Sequence, residues 1–125
     1  MGTPKARRRI LIVDDEEAMR LLLAKIVRQD LDAEVTLAGT CEAALRFARE
    51  NSYDAILLDL LMPGIGGAEL LKRIRAESAS RSAPVVVVSV LANSSDTKAL
   101  GADAILSKPV DRAALVAALR AQFRD

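Results

Sequence analysis

Five residues with chemical potential stand at the ends of short apolar runs. Asp14 and Asp15 follow Ile10–Val13, Asp59 follows Ala55–Leu58, Ser89 follows Val85–Val88, and Lys108 comes just after Ala104–Leu106. Short apolar runs bounded by turn formers read as buried strands, and the amphipathic stretches between them read as helices. In an open parallel sheet the carboxyl ends of the strands lie along one edge, which is where such sheets place their ligands. Three carboxylates, a hydroxyl and an amine should therefore meet in one cleft. Carboxylates about 4 Å apart repel by roughly 4 kcal/mol per pair at an effective dielectric of 20. Such a cluster makes sense around a hard divalent cation, and oxygen-only ligands with water suit Mg²⁺.

The elements that must position these groups follow from periodicity. Arg9–Val13 reads as the first strand. Glu16 to Gln29 then carries Met19, Leu22, Leu23 and Ile26 at helical spacing, with acids in its first turn and Lys25 and Arg28 near its end, as the helix dipole favours. Glu34–Ala38 is a second strand, and Thr40 caps a helix running to about Glu50 with Ala44, Phe47 and Ala48 inward. The central strand spans Asp54–Asp59. After Pro63 and Gly64 comes a helix from about Gly67 to Glu77, with Leu70, Leu71 and Ile74 on one stripe. Val85–Ser89 is the most strand-like stretch, Asn93–Leu100 has room only for a short helix, and Asp111 caps a last helix carrying Leu115, Val116, Leu119 and Phe123. Five strands alternating with helices define an α/β class with a parallel sheet covered on both faces.

Composition narrows the function. A chain of 125 residues, half of them apolar, is one domain with a real core and not a disordered segment. Eighteen basic and 17 acidic residues leave a net charge of +1, so no global field argues for nucleic acid or membrane. The cluster Lys5, Arg7, Arg8 and Arg9 reads as part of a solvated tail over residues 1–8, with the domain proper at 9–124 and no output domain after the last helix. The single cysteine, Cys41, forms no internal disulfide, which fits a reducing, cytoplasmic location; it reads as a small residue filling a helix position. No run approaches the roughly 18 apolar residues of a membrane span. With no histidine in the chain, His-based nucleophilic catalysis, His-bearing metal sites and a phosphohistidine of its own are excluded.

On these residues the chain resembles the receiver domain of two-component response regulators, the family that includes the bacterial chemotaxis receiver. The resemblance covers residues 9–124. It rests on the Asp14–Asp15 pair, on Asp59 followed by Leu60, Leu61, Met62, Pro63, Gly64 and then Gly67, on Ser89, and on Lys108–Pro109. The step from Asp59 to Ser89, 89 − 59 = 30 residues, also matches the family pattern.

The resemblance implies a flavodoxin-like doubly wound (βα)5 fold with strand order 2-1-3-4-5, in which this chain's own spacing makes the fourth helix short or irregular. It implies that Asp59 accepts a phosphoryl group from a phosphohistidine of a partner sensor histidine kinase or phosphotransfer protein. Asp15 and Asp59 would bind Mg²⁺ directly, Asp14 partly through water, and the backbone carbonyl of Leu61 would add a ligand. Lys108 would neutralise a phosphoryl oxygen, Ser89 would hydrogen-bond another, and the Lys108–Pro109 bond would be cis. Such a domain catalyses its own phosphotransfer and autodephosphorylation without being a conventional multi-turnover enzyme. It would act as a monomer or weak dimer, without nucleic acid or membrane.

Three features depart from the family pattern. The switch position, usually aromatic, is Ile105, which has no ring to rotate. Ser89 to Lys108 is 108 − 89 = 19 residues, shorter than is usual, which truncates the fourth helix and weakens the case for pairing through it. Val90 stands where a small residue is usual, and Leu61 and Leu91 beside the site are bulky and apolar, which favours a long-lived phosphoryl group. The departures resemble receivers joined to hybrid sensor kinases more than those of DNA-binding regulators.

Two other classes compete. One is a pseudo-receiver, a protein-binding module that is not phosphorylated; the intact set of five residues argues against it. The other is a Mg²⁺-dependent phosphohydrolase of the haloacid dehalogenase type. That chemistry needs a second aspartate two residues after the nucleophile, where this chain has Glu16 or Leu61. Phosphate-binding loops of the GxxxxGK[ST] type are absent, and Gly64 and Gly67 read as backbone requirements.

Overall fold

A computed structural model describes residues 7–123. Its elements run β1 (Arg9–Val13), α1 (Glu17–Leu31), β2 (Glu34–Ala38), α2 (Cys41–Glu50), β3 (Ala55–Leu58), α3 (Gly66–Glu77), β4 (Val85–Ser89), α4 (Ser95–Lys98), β5 (Ala104–Ser107) and α5 (Arg112–Gln122). The strands form one parallel sheet in the order β2-β1-β3-β4-β5. The expected doubly wound α/β class is therefore observed, and the fourth helix is a single turn.

Unbroken apolar runs form the three central strands because helices cover both faces of the sheet, so neither side of the pleat meets water. Alternate residues feed two separate cores. Leu11, Val13, Ile56, Leu58, Val85 and Val87 pack against Ala44, Leu45 and Ala48 of α2 and Leu70, Leu71 and Ile74 of α3. Ile10, Ile12, Ala55, Leu57, Val86 and Val88 pack on the other face against Leu23, Ala24, Ile26 and Val27 of α1 and Leu115, Val116 and Leu119 of α5. Burying each Leu, Ile or Val contributes about 1.5–3 kcal/mol relative to leaving it exposed. A one-residue slip of any central strand would exchange the two sets, so the register is strongly fixed.

Helix starts are built as the sequence suggests. The Thr40 hydroxyl accepts from the Ala43 N–H, and the Asp111 carboxylate accepts from Ala114 N–H at 2.9 Å. The stripe of α1 differs from expectation: Leu22 is exposed, as is Leu21, while Leu23, Ala24, Ile26 and Val27 are buried. The helix carries apolar residues on more than one face, so periodicity alone does not select the stripe. Phe47 is half-buried against the α2–α3 core, and Phe123 follows the end of α5 with the Arg8 guanidinium 4.2 Å from its ring centre. Of the tail expected at residues 1–8, all but Arg7 and Arg8 lie outside the described residues. Among the described residues no helix is long and apolar enough to cross a membrane.

Candidate functional site

Strand register brings the site together. Val13 pairs with Leu58, and the Asp59 N–H donates to the Val13 carbonyl at 3.0 Å, so Asp14 and Asp59 leave adjacent strands side by side. Leu58 pairs with Val87, which puts the end of β4 and Ser89 beside the end of β3. Ser89 pairs with Ser107 on β5, and the next residue, Lys108, donates its N–H to the Ser89 carbonyl at 3.3 Å. All five predicted residues thus stand at the carboxyl edge of the sheet.

Ligand oxygens of Asp14, Asp15 and Asp59 lie within 4.8 Å of one another. Asp14 and Asp59 are buried, at 1% and 5% exposure, whereas Asp15 faces solvent. The Lys108 ammonium bridges the two buried carboxylates, with Nζ 2.8 Å from Asp14 Oδ2 and 2.8 Å from Asp59 Oδ2. The remaining buried oxygens accept main-chain hydrogen bonds: Asp14 Oδ1 from Glu16 N–H at 2.9 Å, and Asp59 Oδ1 from Leu61 N–H at 3.1 Å. Burial disfavours the Lys108 charge, but its hydrogen bonds to Asp14 and Asp59, with the charges of both, outweigh that and hold its pKa above the ordinary lysine value. One ammonium among three carboxylates leaves the cluster short of positive charge, and its all-oxygen donor set fits a hard dication such as Mg²⁺.

The loop after β3 is shaped by Gly67. A Cβ there would lie 2.4 Å from the Asp59 carbonyl oxygen and 2.6 Å from the Leu60 Cα, so only glycine lets the start of α3 lie against the backbone that carries Asp59. The Gly67 N–H donates to the Leu60 carbonyl at 3.1 Å. The Lys108–Pro109 peptide is cis.

Beyond β4 the chain makes a compact hydrogen-bonded turn. Ser89 Oγ accepts from Leu91 N–H at 3.2 Å, and the buried Thr97 hydroxyl donates to the Leu91 carbonyl at 2.8 Å. Ile105 pairs with Val87 and packs, half-buried, against the α2–α3 core. Leu61 and Ile65 after β3, and Val90 and Leu91 after β4, are exposed apolar side chains. Cys41 is buried, its Sγ 3.7 Å from the Pro63 carbonyl, and burial pushes its thiol pKa up, which suits an inert packing residue.

Two residues near the site escaped the sequence reading. Thr97 holds the β4–α4 turn, and Arg20 places Nη1 2.7 Å from the Asp14 carbonyl oxygen. Neither lies in a strand-end motif. The only available signal for Arg20 was a cation on α1 close after the acidic pair.

Comparison with known proteins places this geometry. The family model for the response regulator receiver domain matches residues 10–120. RegX3, a sensory transduction protein of Mycolicibacterium smegmatis, is 36% identical over 118 residues, covering 92% of this chain and 50% of RegX3. The sensory/regulatory protein RpfC of Xanthomonas campestris pv. campestris is 37% identical over 113 residues, 86% of this chain and 15% of RpfC. The chain thus spans half the length of one relative and a small part of the other. Among solved structures, Vibrio cholerae chemotaxis protein CheY4 aligns with a TM-score of 0.85 and 28% identity, over 94% of this chain and all of that one. The receiver domain of the sensor histidine kinase PA1611 from Pseudomonas aeruginosa, solved with magnesium coordinated in its active site cleft, aligns with a TM-score of 0.84 and 30% identity over 94% and 98% of the two chains. The chain belongs to the response regulator receiver domain family.

Proposed function

We propose that this protein is a phosphorylation-controlled signalling switch. In this reading Asp59 accepts a phosphoryl group from a phosphohistidine of a sensor histidine kinase or phosphotransfer protein. The observation that carries the reading is the buried Asp59 carboxylate, bridged to Asp14 by Lys108 and grouped with Asp14 and Asp15 within 4.8 Å. An Asp59 oxygen attacks phosphorus, the phosphorus–nitrogen bond breaks, and the imidazole leaves with the electron pair. Such a transfer asks the protein mostly for positioning and charge neutralisation.

Asp15 and Asp59 would hold Mg²⁺ directly, Asp14 partly through water, and the Leu61 carbonyl would be a further ligand. When bound, the cation neutralises charge on the transferred group. Lys108 already rests on an Asp59 oxygen and would turn to a phosphoryl oxygen, with the Ser89 hydroxyl donating to another. The Ser89 Oγ now accepts from Leu91 N–H, which leaves its O–H proton to donate. Movement of Ser89 toward the phosphoryl group would start the switch in this chain, where Ile105 offers no aromatic ring. The retained acidic cluster and lysine do not favour a pseudo-receiver.

Intact mass after incubation with Mg²⁺ and acetyl phosphate tests this directly. One added phosphoryl group, absent in Asp59→Ala, is expected; an adduct that persists in Asp59→Ala would overturn the assignment. The apolar side chains of Leu61 and Leu91, close to Asp59 and Ser89 in the chain, should slow the attack of water on the phosphoryl group. Making either residue polar is expected to shorten the lifetime of the adduct, and an unchanged lifetime would sink that part.

A further inference from the structure

Arg20 sits one turn into α1, its N–H donating to the Glu16 carbonyl at 3.0 Å. Asp14 belongs to a cluster of three carboxylates, and a charged hydrogen bond to a carboxylate is the stronger use of a guanidinium. Arg20 instead takes a main-chain acceptor, with Nη1 2.7 Å from the Asp14 carbonyl oxygen, and makes no ion pair among the described residues. It reaches that oxygen by lying over Gly39. A Cβ at position 39 would stand 2.8 Å from Arg20 Nη1 and 3.1 Å from its Cζ, so the absent side chain is what makes room.

The grip falls on a particular peptide. The Asp14 carbonyl lies in the planar unit that joins Asp14 to Asp15, so fixing its oxygen fixes the direction in which the chain leaves β1. Asp14 has other anchors: its N–H donates to the Ala38 carbonyl at 3.2 Å, and its carboxylate is held by Glu16 N–H and Lys108. Asp15 is exposed and takes part in no hydrogen bond among the described residues, so its backbone is all that aims its carboxylate.

We propose that Arg20, seated over Gly39, is a positioning residue that aims Asp15 at the cation site by holding the Asp14–Asp15 peptide. The inference rests on the cation site of the proposed function. Outer partners that orient metal ligands are typically worth 10- to 100-fold in affinity.

The sign of the effect makes the proposal testable, because charge and positioning predict opposite results. Removing a cation beside an acidic cluster should tighten Mg²⁺ binding; losing the grip on Asp15 should weaken it. Calorimetric titration of the folded protein with Mg²⁺ is expected to show affinity about tenfold weaker in Arg20→Met. Gly39→Ala, which pushes the guanidinium aside and keeps its charge, should lose a similar amount. In the double variant the two losses should not add, since both remove one contact. Unchanged or tighter binding in folded Arg20→Met would overturn the proposal, and so would independent, additive losses. Asp59→Ala serves as the separate control: wild-type Mg²⁺ affinity there would refute the cation site itself, whatever Arg20 does.

Discussion

The two edges of the sheet use the same residue type in opposite ways. At the amino edge, Asp54 accepts the Arg9 N–H at 2.7 Å, and Asp103 accepts the Val85 N–H at 2.8 Å while pairing with Arg75 at 3.0 Å. Arg75 in turn donates to the Ala83 and Arg81 carbonyls, closing the loop before β4. Each of these aspartates satisfies the first N–H of a neighbouring strand, a group with no ladder partner of its own. At the carboxyl edge, Asp14 and Asp59 are more deeply buried yet face each other across one shared ammonium, with Asp15 beside them. One edge matches its carboxylates with donors and gains stability. The other keeps a surplus of negative charge, which costs stability and suits the cation of the proposed function.

Substitutions can break this contrast. The largest effect is expected from Gly67→Ala, because the new Cβ would overlap the Asp59 carbonyl oxygen and the Leu60 Cα, both of them backbone. Overpacking of this kind costs about 3 kcal/mol, and here it would also move Asp59. Urea unfolding should show the loss, and the surviving folded fraction should respond poorly to Mg²⁺.

Next is Asp103→Ala, which strips the Val85 N–H and Arg75 of their partner. A loss of about 2 kcal/mol in urea unfolding is expected, with Mg²⁺ affinity unchanged. A matching loss of affinity would mean that the two edges are not independent.

Asp59→Asn should behave in the reverse manner. It relieves repulsion at the carboxyl edge, so metal-free stability should change by less than about 1 kcal/mol. Under the proposed function Mg²⁺ should raise the thermal stability of the parent protein by binding only the folded state, and in Asp59→Asn that gain should disappear. A fall in metal-free stability as large as that of Asp103→Ala would end the contrast.

The smallest expected effect is one of pH. The Lys108 pKa is raised in the folded state, so its contribution is fully present below the ordinary lysine pKa of about 10.4 and fades as pH rises through the higher folded value. The difference in urea midpoint between the parent and Lys108→Met should therefore hold steady from pH 8 to about 10 and shrink above that. A difference that stayed flat to the highest pH reached by folded protein would show that the ammonium's charge is not what matters.

Much of this arrangement was legible in the chain. The five strands announce themselves as apolar runs, and the site residues stand directly after them, because a polar group is tolerated only where the buried run ends. The brevity of α4 follows from the step of only 19 positions from Ser89 to Lys108, which must also complete β5. Caps at Thr40 and Asp111 were readable because a side-chain oxygen before a helix has a local task. The buried stripe of α1 was read in part: Leu23 and Ile26 are buried as expected, but Leu22 fits the spacing as well as they do, and only the packing of α1 beside α5 selects Ala24 and Val27 in its place.

By itself, then, the sequence determined the class of fold, the order in which strands and helices alternate, and the identity of the acidic pair, Asp59, Ser89 and Lys108, all of which depend on local pattern and burial. Tertiary structure alone decided the partners. Lys108 reaches Asp59 across 49 residues of chain and Asp14 across 94, Asp103 finds Arg75 and Val85, and Arg20 takes a backbone oxygen over Gly39. Such pairings depend on strand register and on where one glycine leaves space, and neither is written in the spacing of residues along the chain.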